Sequence, residues 1–264
     1  MTAPTHLVLS LFPGIGLLDM AFEEHGFCVV RGPDTLWGGD VKRFHPPAGK
    51  FDGVIGGPPC QAFSRLRHLV EHNGYAVAEN LIPEYERVVA EAQPAWFLME
   101  NVPAAPEARV AGYVVRSLML NNRWCGGEQN RERRFAFGTR DGRVLLPRVV
   151  ALEALNYVPA VLASGGGRET PVRLGGSGRP KRSRRGGPIL KARDLGYKTN
   201  TNAAAAAAQC VPEGFLDAAP FTVAGKIKVL GNGVPLPLGR AIAAAVREAM
   251  YPREIAQAAP GGRA

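Results

Sequence analysis

Apolar segments that alternate with helix-periodic segments restrict how this chain can fold more than any other feature of its sequence. Near the start, the apolar run 7–12 leads through a Pro-Gly-Ile-Gly turn into the helix-periodic stretch 17–25, and a second apolar run follows at 27–30. A strand, a tight turn, a helix and another strand in this order indicate a βαβ unit. Because such units build parallel sheets, the sequence predicts an α/β fold.

The same alternation continues along the chain. It predicts strands at 51–55, 96–99, 134–138 and 144–146, and helices at 81–92, 113–121 and 238–250. Beyond Pro147 the periodicity decays into a Gly-rich region. We therefore predict a larger domain of residues 1–140 and 222–264, to which the last helix returns, and a smaller lobe at 141–221.

Positive charge is concentrated in that smaller lobe. The chain has 32 Lys and Arg against 23 Asp and Glu, a formal net charge of +9. Residues 168–198 alone hold ten Lys and Arg, two acidic residues and two clusters of glycine, and a third cluster precedes them at 165–167. A basic backbone rich in glycine can approach a polyanion closely, so nucleic acid is the expected partner. A solvated basic linker without a ligand remains the alternative.

Composition disfavours several other classes of protein. No uncharged apolar stretch approaches the roughly 20 residues that span a bilayer, and the N-terminus has no basic region followed by an apolar signal core. The four cysteines are far apart and form no CxxC pair, which favours neither a disulfide framework nor a zinc site. We expect a cytoplasmic protein that binds no membrane and no metal.

Residues that can do chemistry follow the predicted strands, where ligands bind in open α/β sheets. Cys60 comes directly after Pro58-Pro59, and the two prolines stiffen the backbone that presents its thiol. Glu100 ends a later strand, and Arg131 and Arg133 alternate on an extended segment, so that they point the same way. A buried structural cysteine remains the alternative for Cys60.

The first turn and the second strand suggest a cofactor site. Gly14 and Gly16 let a ligand approach the backbone, and Asp34 is placed to accept hydrogen bonds from ribose hydroxyls. A tight strand-to-helix turn without a ligand is an equally good interpretation of so short a glycine motif.

Taken in order, these segments resemble the motif series of DNA (cytosine-5)-methyltransferases. The matching segments are Phe12-Pro13-Gly14-Ile15-Gly16, Pro59-Cys60-Gln61, Glu100-Asn101-Val102, Gln129-x-Arg131-x-Arg133 and Gly231-Asn232-Gly233-Val234. The resemblance implies a Rossmann-like S-adenosylmethionine-dependent methyltransferase domain with a small inserted target-recognition lobe, and the basic region occupies the place of that lobe. The chain departs from the family at Ser10, where Asp is frequent, and at Leu17, where a further Gly is frequent.

The resemblance also implies roles for the site residues. The Cys60 thiolate adds to C6 of a flipped-out cytosine, and Glu100 protonates or hydrogen-bonds N3. Arg133 holds the O2 side of the base, and Arg131 supports the nucleophile and a nearby phosphate. The residues implied to hold S-adenosylmethionine, with S-adenosylhomocysteine as product, are Phe12, Gly14, Gly16, Asp34, Asp40, Val41, Gly57, Pro59, Leu81, Asn232 and Val234. Those implied to contact DNA are Gln61, Ser64, Arg65, Arg67, Gln129, Arg179, Arg182, Arg184 and Arg185.

The implied partner is double-stranded DNA with a short, GC-containing site, bound by a monomer in a bacterial or phage-infected cell. An RNA cytosine-5 methyltransferase, acting for example on tRNA, stays open because the motifs do not distinguish the two nucleic acids. A non-catalytic DNA-binding relic is a further alternative. Cys60 stands where enzymes that methylate exocyclic amines carry an aromatic residue, which favours carbon over amine methylation.

Overall fold

A computed structural model describes residues 6–59, 79–150 and 202–252, together with the backbone of three two-residue strands between them. The chain divides into two compact units. Unit 1 comprises Met1–Leu120, Glu132–Arg148 and Gly239–Ala264, and unit 2 comprises Asn121–Arg131 and Val149–Leu238. The domain boundaries expected from the sequence stay a prediction.

A six-stranded sheet organises unit 1. Its strands are β1 (His6–Leu11), β2 (Phe27–Arg31), β3 (Gly53–Gly56), β4 (Trp96–Asn101), β5 (Val114–Asn121) and β7 (Glu132–Thr139). They lie in the order β2-β1-β3-β4-β7-β5. The first four strands are parallel, as the sequence predicts, whereas β7 runs antiparallel to β4. The α/β class is therefore confirmed, with a mixed sheet.

Five helices are found in the described part of the chain. They are α1 (Leu17–Glu24), α2 (Ile82–Ala92), α3 (Asn202–Ala208), α4 (Val223–Asn232) and α5 (Leu236–Met250). The helices predicted at 17–25, 81–92 and 238–250 are confirmed to within two residues at each end. Unit 2 holds α3 and α4, and its short strands β6 (Gln129–Asn130) and β8 (Val158–Pro159) pair in parallel. Strands β9 (Val172–Arg173) and β10 (Ile189–Leu190) pair antiparallel.

Two predictions of secondary structure are wrong. The segment 113–121, predicted as a helix, contains β5 at the edge of the sheet. Val115 and Leu118 are partly buried and three residues apart, a spacing that imitates a helix, but the β-branched pair Val114 and Val115 suits an edge strand.

The segment 144–146, predicted as a strand, is irregular. Leu145 is 4% exposed between Val144 at 55% and Leu146 at 76%. The alternation of burial is real, but a strand also needs a neighbour, and 144–146 pairs with no strand among the described residues.

The core of unit 1 lies on both faces of the sheet. On one face α2 buries Tyr85, Val88 and Val89 against strand residues that include Leu9 and Phe97. On the other face Phe22 of α1 contacts Trp96 of β4 and Phe27 of β2. Burial of such large side chains is the main force that holds the helices on the sheet.

The terminal helix α5 and the residues that follow it contact α1 and the sheet. Gly239 of α5 lies against the Ala21 side chain of α1, where an added Cβ would be only 2.9 Å away. Arg240 pairs with Glu24 at 2.6 Å, and Tyr251 stacks on His6 and accepts a hydrogen bond from Trp96 Nε1. By length and composition the stretch Val223–Met250 could cross a membrane, but 67% of its most apolar window is buried within the protein. Core helices of proteins that enter no membrane share these properties.

Candidate active site

The turn after β1 has an unusual backbone. Phe12 and Gly14 both have φ of +55°, and Gly16, at the N-terminus of α1, has φ of +81°. Only glycine adopts such angles without strain. A Cβ built on Gly14 would meet no atom within 4 Å, so this turn faces open space at the carboxyl end of β1. Phe12, Gly14 and Gly16 lie together in this turn, and their contact with a cofactor stays a prediction.

Asp34 holds this turn in place. Its Oδ2 accepts the Gly14 N–H at 2.8 Å and its Oδ1 accepts the Leu36 N–H at 2.8 Å. Trp37, 57% exposed, donates its indole N–H to the Gly14 carbonyl at 2.7 Å. Each carboxylate oxygen has a second lone pair, so the ribose contact stays a prediction. The structure adds a backbone role for Asp34, and it identifies Trp37, which the sequence reasoning missed.

A buried carboxylate lies beneath the same turn. Asp19 accepts hydrogen bonds from Ser10 Oγ at 2.6 Å and from Arg31 Nε at 2.9 Å. Burial raises the pKa of Asp19, and the contacts with Ser10 and Arg31 oppose that rise. The departure from the family at Ser10 has a physical reason here, because an Asp in its place would set two carboxylates against each other.

A second loop carries two of the predicted cofactor residues, Asp40 and Val41, and packs near a third, Leu81. Asp40 Oδ1 accepts the Lys42 N–H at 3.0 Å and begins a 3-10 turn in which Val41 is buried in the core of unit 1. Arg87 of α2 donates to the Val41 carbonyl at 2.8 Å and also to the Phe44 carbonyl. Sequence reasoning missed Arg87. Leu81, at the N-terminus of α2, packs against the same core.

The loop after β3 is held by the end of β4. Asn101 is buried, and its Nδ2 donates to the Pro58 carbonyl at 3.1 Å while its Oδ1 accepts the Val102 N–H at 2.8 Å. A Cβ built on Gly57 would lie 2.8 Å from Glu100 Oε2. The backbone at Gly57 and Pro58 is thus held against β4, partly by Asn101, a residue of the Glu100-Asn101-Val102 motif for which the sequence predicts no separate role.

Glu100 and Arg133 form an ion pair, which we call the strand-end pair. Arg133 Nε lies 2.9 Å from Glu100 Oε1, and the two side chains are 15% and 12% exposed. Arg133 Nη1 also donates to the Glu132 carbonyl. One carboxylate oxygen is therefore held by a cation, and the other lies over Gly57. An oriented carboxyl group of this kind can exchange a proton or a hydrogen bond with a ring nitrogen.

The remaining described candidates lie in unit 2. Arg131 is 4% exposed, and its Nη2 donates to the carbonyls of Gly231 at 2.9 Å and Gly233 at 3.1 Å. Asn232, between them, is exposed, whereas Val234 is buried. Gln129 is buried, and its amide donates to the Ala208 carbonyl at 2.6 Å. The roles implied for these residues toward base, DNA and cofactor stay predictions.

Several candidates lie outside the described residues. They are Cys60, Gln61, Ser64, Arg65, Arg67, Arg179, Arg182, Arg184 and Arg185. Among the residues that are described, no group of three His, Cys, Asp or Glu side chains could hold a metal ion.

Comparison with known proteins identifies the family. The model of the family described as C-5 cytosine-specific DNA methylase matches residues 39–157. Type II methyltransferase M.FnuDI of Fusobacterium nucleatum is 33% identical over 165 residues, which cover 50% of this chain and 46% of that protein. Type II methyltransferase M.HgiGI of Herpetosiphon aurantiacus is 30% identical over 123 residues, 39% of this chain and 94% of that protein.

The match with M.FnuDI thus spans about half the length of that relative. Among solved structures, Entamoeba histolytica methyltransferase EhMeth has a TM-score of 0.61 at 13% identity, covering 93% of this chain and 99% of that chain. This likeness confirms the Rossmann-like methyltransferase fold. The family is shown by the family model together with the 30% identity to M.HgiGI, whose sequence is covered to 94%: the chain belongs to the C-5 cytosine-specific DNA methylase family.

Proposed function

We propose that the chain transfers a methyl group from S-adenosylmethionine to C5 of a cytosine in double-stranded DNA. The observation that carries this proposal is the strand-end pair. The Glu100 carboxylate, held by Arg133, lies over Gly57 in the loop that runs into Cys60. A thiol that adds to C6 and an oriented carboxyl group that contacts N3 are what cytosine C5 needs, because this carbon is too weak a nucleophile to take a methyl group unaided.

The glycine turn fits the cofactor. Its backbone faces open space at Gly14, and Asp34 and Asp40 lie in the loops that follow β2, with carboxylates already anchored by backbone amides. These residues, with Phe12 and Val41, would hold the nucleoside part of S-adenosylmethionine. From the sequence motif that contains them, we propose that Asn232 and Val234 also contact the cofactor. When bound, the cofactor supplies an electrophilic methyl group on a sulfonium sulfur.

The chain's own residues would activate the base. The Cys60 thiolate adds to C6, and the electron pair of the C5–C6 bond becomes available at C5 while Glu100 donates a hydrogen bond or proton to N3. Arg133 holds Glu100 and faces the O2 side of the ring. After C5 takes the methyl group, loss of the C5 proton to a base returns the electron pair to the C5–C6 bond and expels the thiolate.

DNA recognition would fall to the chain's basic segments. Cytosine inside a duplex hides C6, so the target must leave the stack. Gln61, Ser64, Arg65 and Arg67 follow Cys60 closely enough in sequence to contact the DNA around the flipped base. The lobe at 141–221 carries Arg179, Arg182, Arg184 and Arg185, the residue type that most often reads guanine, and we propose that it recognises a short, GC-containing site.

Bisulfite sequencing tests this function directly. The chain is expressed in a host that lacks DNA methylation, and the genome is sequenced after bisulfite treatment, with Cys60→Ser as the control. We expect protected cytosines within one short sequence for the parent chain and none for the variant. A duplex containing 5-fluorocytosine is expected to form a stable covalent adduct with the parent chain only.

Two results would overturn the proposal. The first is methylation that survives in Cys60→Ser, which would exclude the thiol from the chemistry. The second is methylation of cellular RNA with no methylation of DNA, which would move the activity to the RNA cytosine-5 class.

A further inference from the structure

Two buried polar side chains of unit 2, Arg131 and Gln209, donate to carbonyls in and next to the turn 231–234, and a third, Gln129, donates to Gln209. We call Gln129, Arg131 and Gln209 the turn cluster. Gln209 is 0% exposed. Its Nε2 donates to the Leu230 carbonyl at 2.5 Å, with the Gly233 carbonyl 3.5 Å away. Arg131 donates to the Gly231 carbonyl and to the same Gly233 carbonyl.

Gln209 is the centre of this cluster. Its Oε1 accepts from Gln129 Nε2 at 3.3 Å, and its own backbone carbonyl accepts the Leu236 N–H at 3.1 Å. It therefore contacts the backbone on both sides of the turn, at Leu230 before it and at Leu236 after it. Residues in three separate parts of the sequence meet here.

The turn needs such partners because it ends one helix and begins another. The last carbonyls of a helix have no partner within that helix, and a carbonyl buried without a hydrogen bond is costly. At the C-terminus of α4, Gly233 N–H bonds the Leu230 carbonyl, Gln209 adds a second donor to it, and Arg131 bonds Gly231 and Gly233. Side chains of the turn cluster thus supply what the helix end lacks.

We propose that Gln209 is a positioning residue for cofactor binding, which acts by fixing the turn that carries Asn232 and Val234. Arg131 shares this task. The inference rests on the proposed function, since Asn232 and Val234 are cofactor residues only if the chain binds S-adenosylmethionine. It assigns a role to Gln209, which none of the motifs named in the sequence analysis contains.

The test uses the full chain with Gln209→Met, which keeps the length of the side chain and removes its donor. Gln209→Asn, which keeps the amide but shortens its reach, is the second variant. Thr222→Ala is the matched control: Thr222 caps the other end of α4 through Gly225 N–H at 3.1 Å and touches no carbonyl of the turn. Calorimetry gives the Kd for S-adenosylmethionine, steady-state assays give kcat and KM, and hydrogen exchange follows the peptide 230–236.

For both Gln209 variants we expect the Kd and KM for S-adenosylmethionine to rise at least tenfold and kcat at saturating cofactor to change less than threefold. Exchange in 230–236 accelerates. Thr222→Ala lowers the melting temperature but keeps the parent Kd. A parent-like Kd in Gln209→Met would overturn the inference, as would an equal loss in Thr222→Ala.

The exchange measurement separates this inference from the proposed function. If the parent chain binds no S-adenosylmethionine, the proposed function is contradicted, and so is the cofactor role of Gln209. Unchanged exchange of 230–236 in Gln209→Met would contradict the holding role of Gln209 even if the parent chain methylates DNA.

Discussion

Arg131 and Arg133 belong to one short motif, but their surroundings differ. Arg133 pairs with the carboxylate of Glu100, whereas Arg131 donates hydrogen bonds from Nη2 to the backbone carbonyls of Gly231 and Gly233. A carboxylate held by a cation can still exchange a proton or hydrogen bond with a substrate. A backbone carbonyl accepts hydrogen bonds but has no proton to exchange, so its contacts with Arg131 serve only to fix the turn. The strand-end pair therefore has the surroundings of a chemical site, and the turn cluster has those of a scaffold.

Glu100→Gln removes the carboxyl group of the strand-end pair and has the largest expected effect, a loss in kcat. The amide keeps the shape of the side chain but cannot donate a carboxyl proton to N3, so we expect kcat to fall by about 10²- to 10⁴-fold. The Kd for S-adenosylmethionine stays within threefold. Single-turnover methyl transfer and calorimetry measure the two quantities, with the exposed Glu107→Gln as control. A parent-like rate in Glu100→Gln would remove the carboxyl from the mechanism.

Gly57→Ala sharpens the assignment of Glu100. The added Cβ would lie 2.8 Å from Glu100 Oε2 and displace the carboxylate, and we expect a loss of about 10- to 100-fold in kcat. Because both changes act on the same group, Gly57→Ala in the Glu100→Gln background is expected to add little. Fully additive losses in this double-mutant cycle would show that Gly57 acts elsewhere.

Asp34→Ala tests whether the glycine turn behaves like the turn cluster. The change removes the acceptor of the Gly14 and Leu36 N–H groups, and we expect S-adenosylmethionine to bind more weakly by roughly 1–3 kcal/mol. Calorimetry checks this against Asp141→Ala, an exposed carboxylate that pairs with Arg143. Equal dissociation constants for the two variants would refute the role of Asp34.

Ser10→Ala has the smallest expected effect, on stability and its dependence on pH. The pKa of Asp19 in the fold is raised above 3.8, so its ionisation opposes folding, and the free energy of unfolding falls as pH rises from that value through the folded pKa. Without the Ser10 hydroxyl the ionised form loses a hydrogen bond and the pKa rises further. We expect Ser10→Ala to cost about 1 kcal/mol more at about pH 7 than at about pH 4. Urea unfolding measures both values, and a cost that shrinks with rising pH would contradict this.

The sequence predicts the elements of unit 1 well because burial in a sheet imposes a period of two and burial of a helix a period of about 3.6. Where one segment satisfies both patterns, as at 113–121, or alternates without a neighbour, as at 144–146, the pattern alone is insufficient. The family motifs predict Gly14, Glu100 and Arg133 as site residues, and these roles stay predictions; the structure adds the open turn at Gly14 and the Glu100–Arg133 ion pair.

Other contacts could not have been predicted in this way. Arg87 contacts Val41 from 46 positions away, Asn101 contacts Pro58 from 43, and Gln129 contacts Ala208 from 79. A side chain that bonds a distant backbone carbonyl leaves no periodic signal, since any segment offers such carbonyls. Only the packed structure pairs the two.

Arg133→Met and Arg131→Met, measured side by side for kcat and for the Kd of S-adenosylmethionine, test the central claim most directly. Arg133→Met frees Glu100 from its cation, and we expect kcat to fall by about 10²-fold or more with the Kd within threefold of the parent. Arg131→Met loosens the turn 231–234. We expect the Kd to rise at least tenfold and to change by a larger factor than kcat. The reverse pattern, or the same pattern in both variants, would contradict the division between a chemical site and a scaffold.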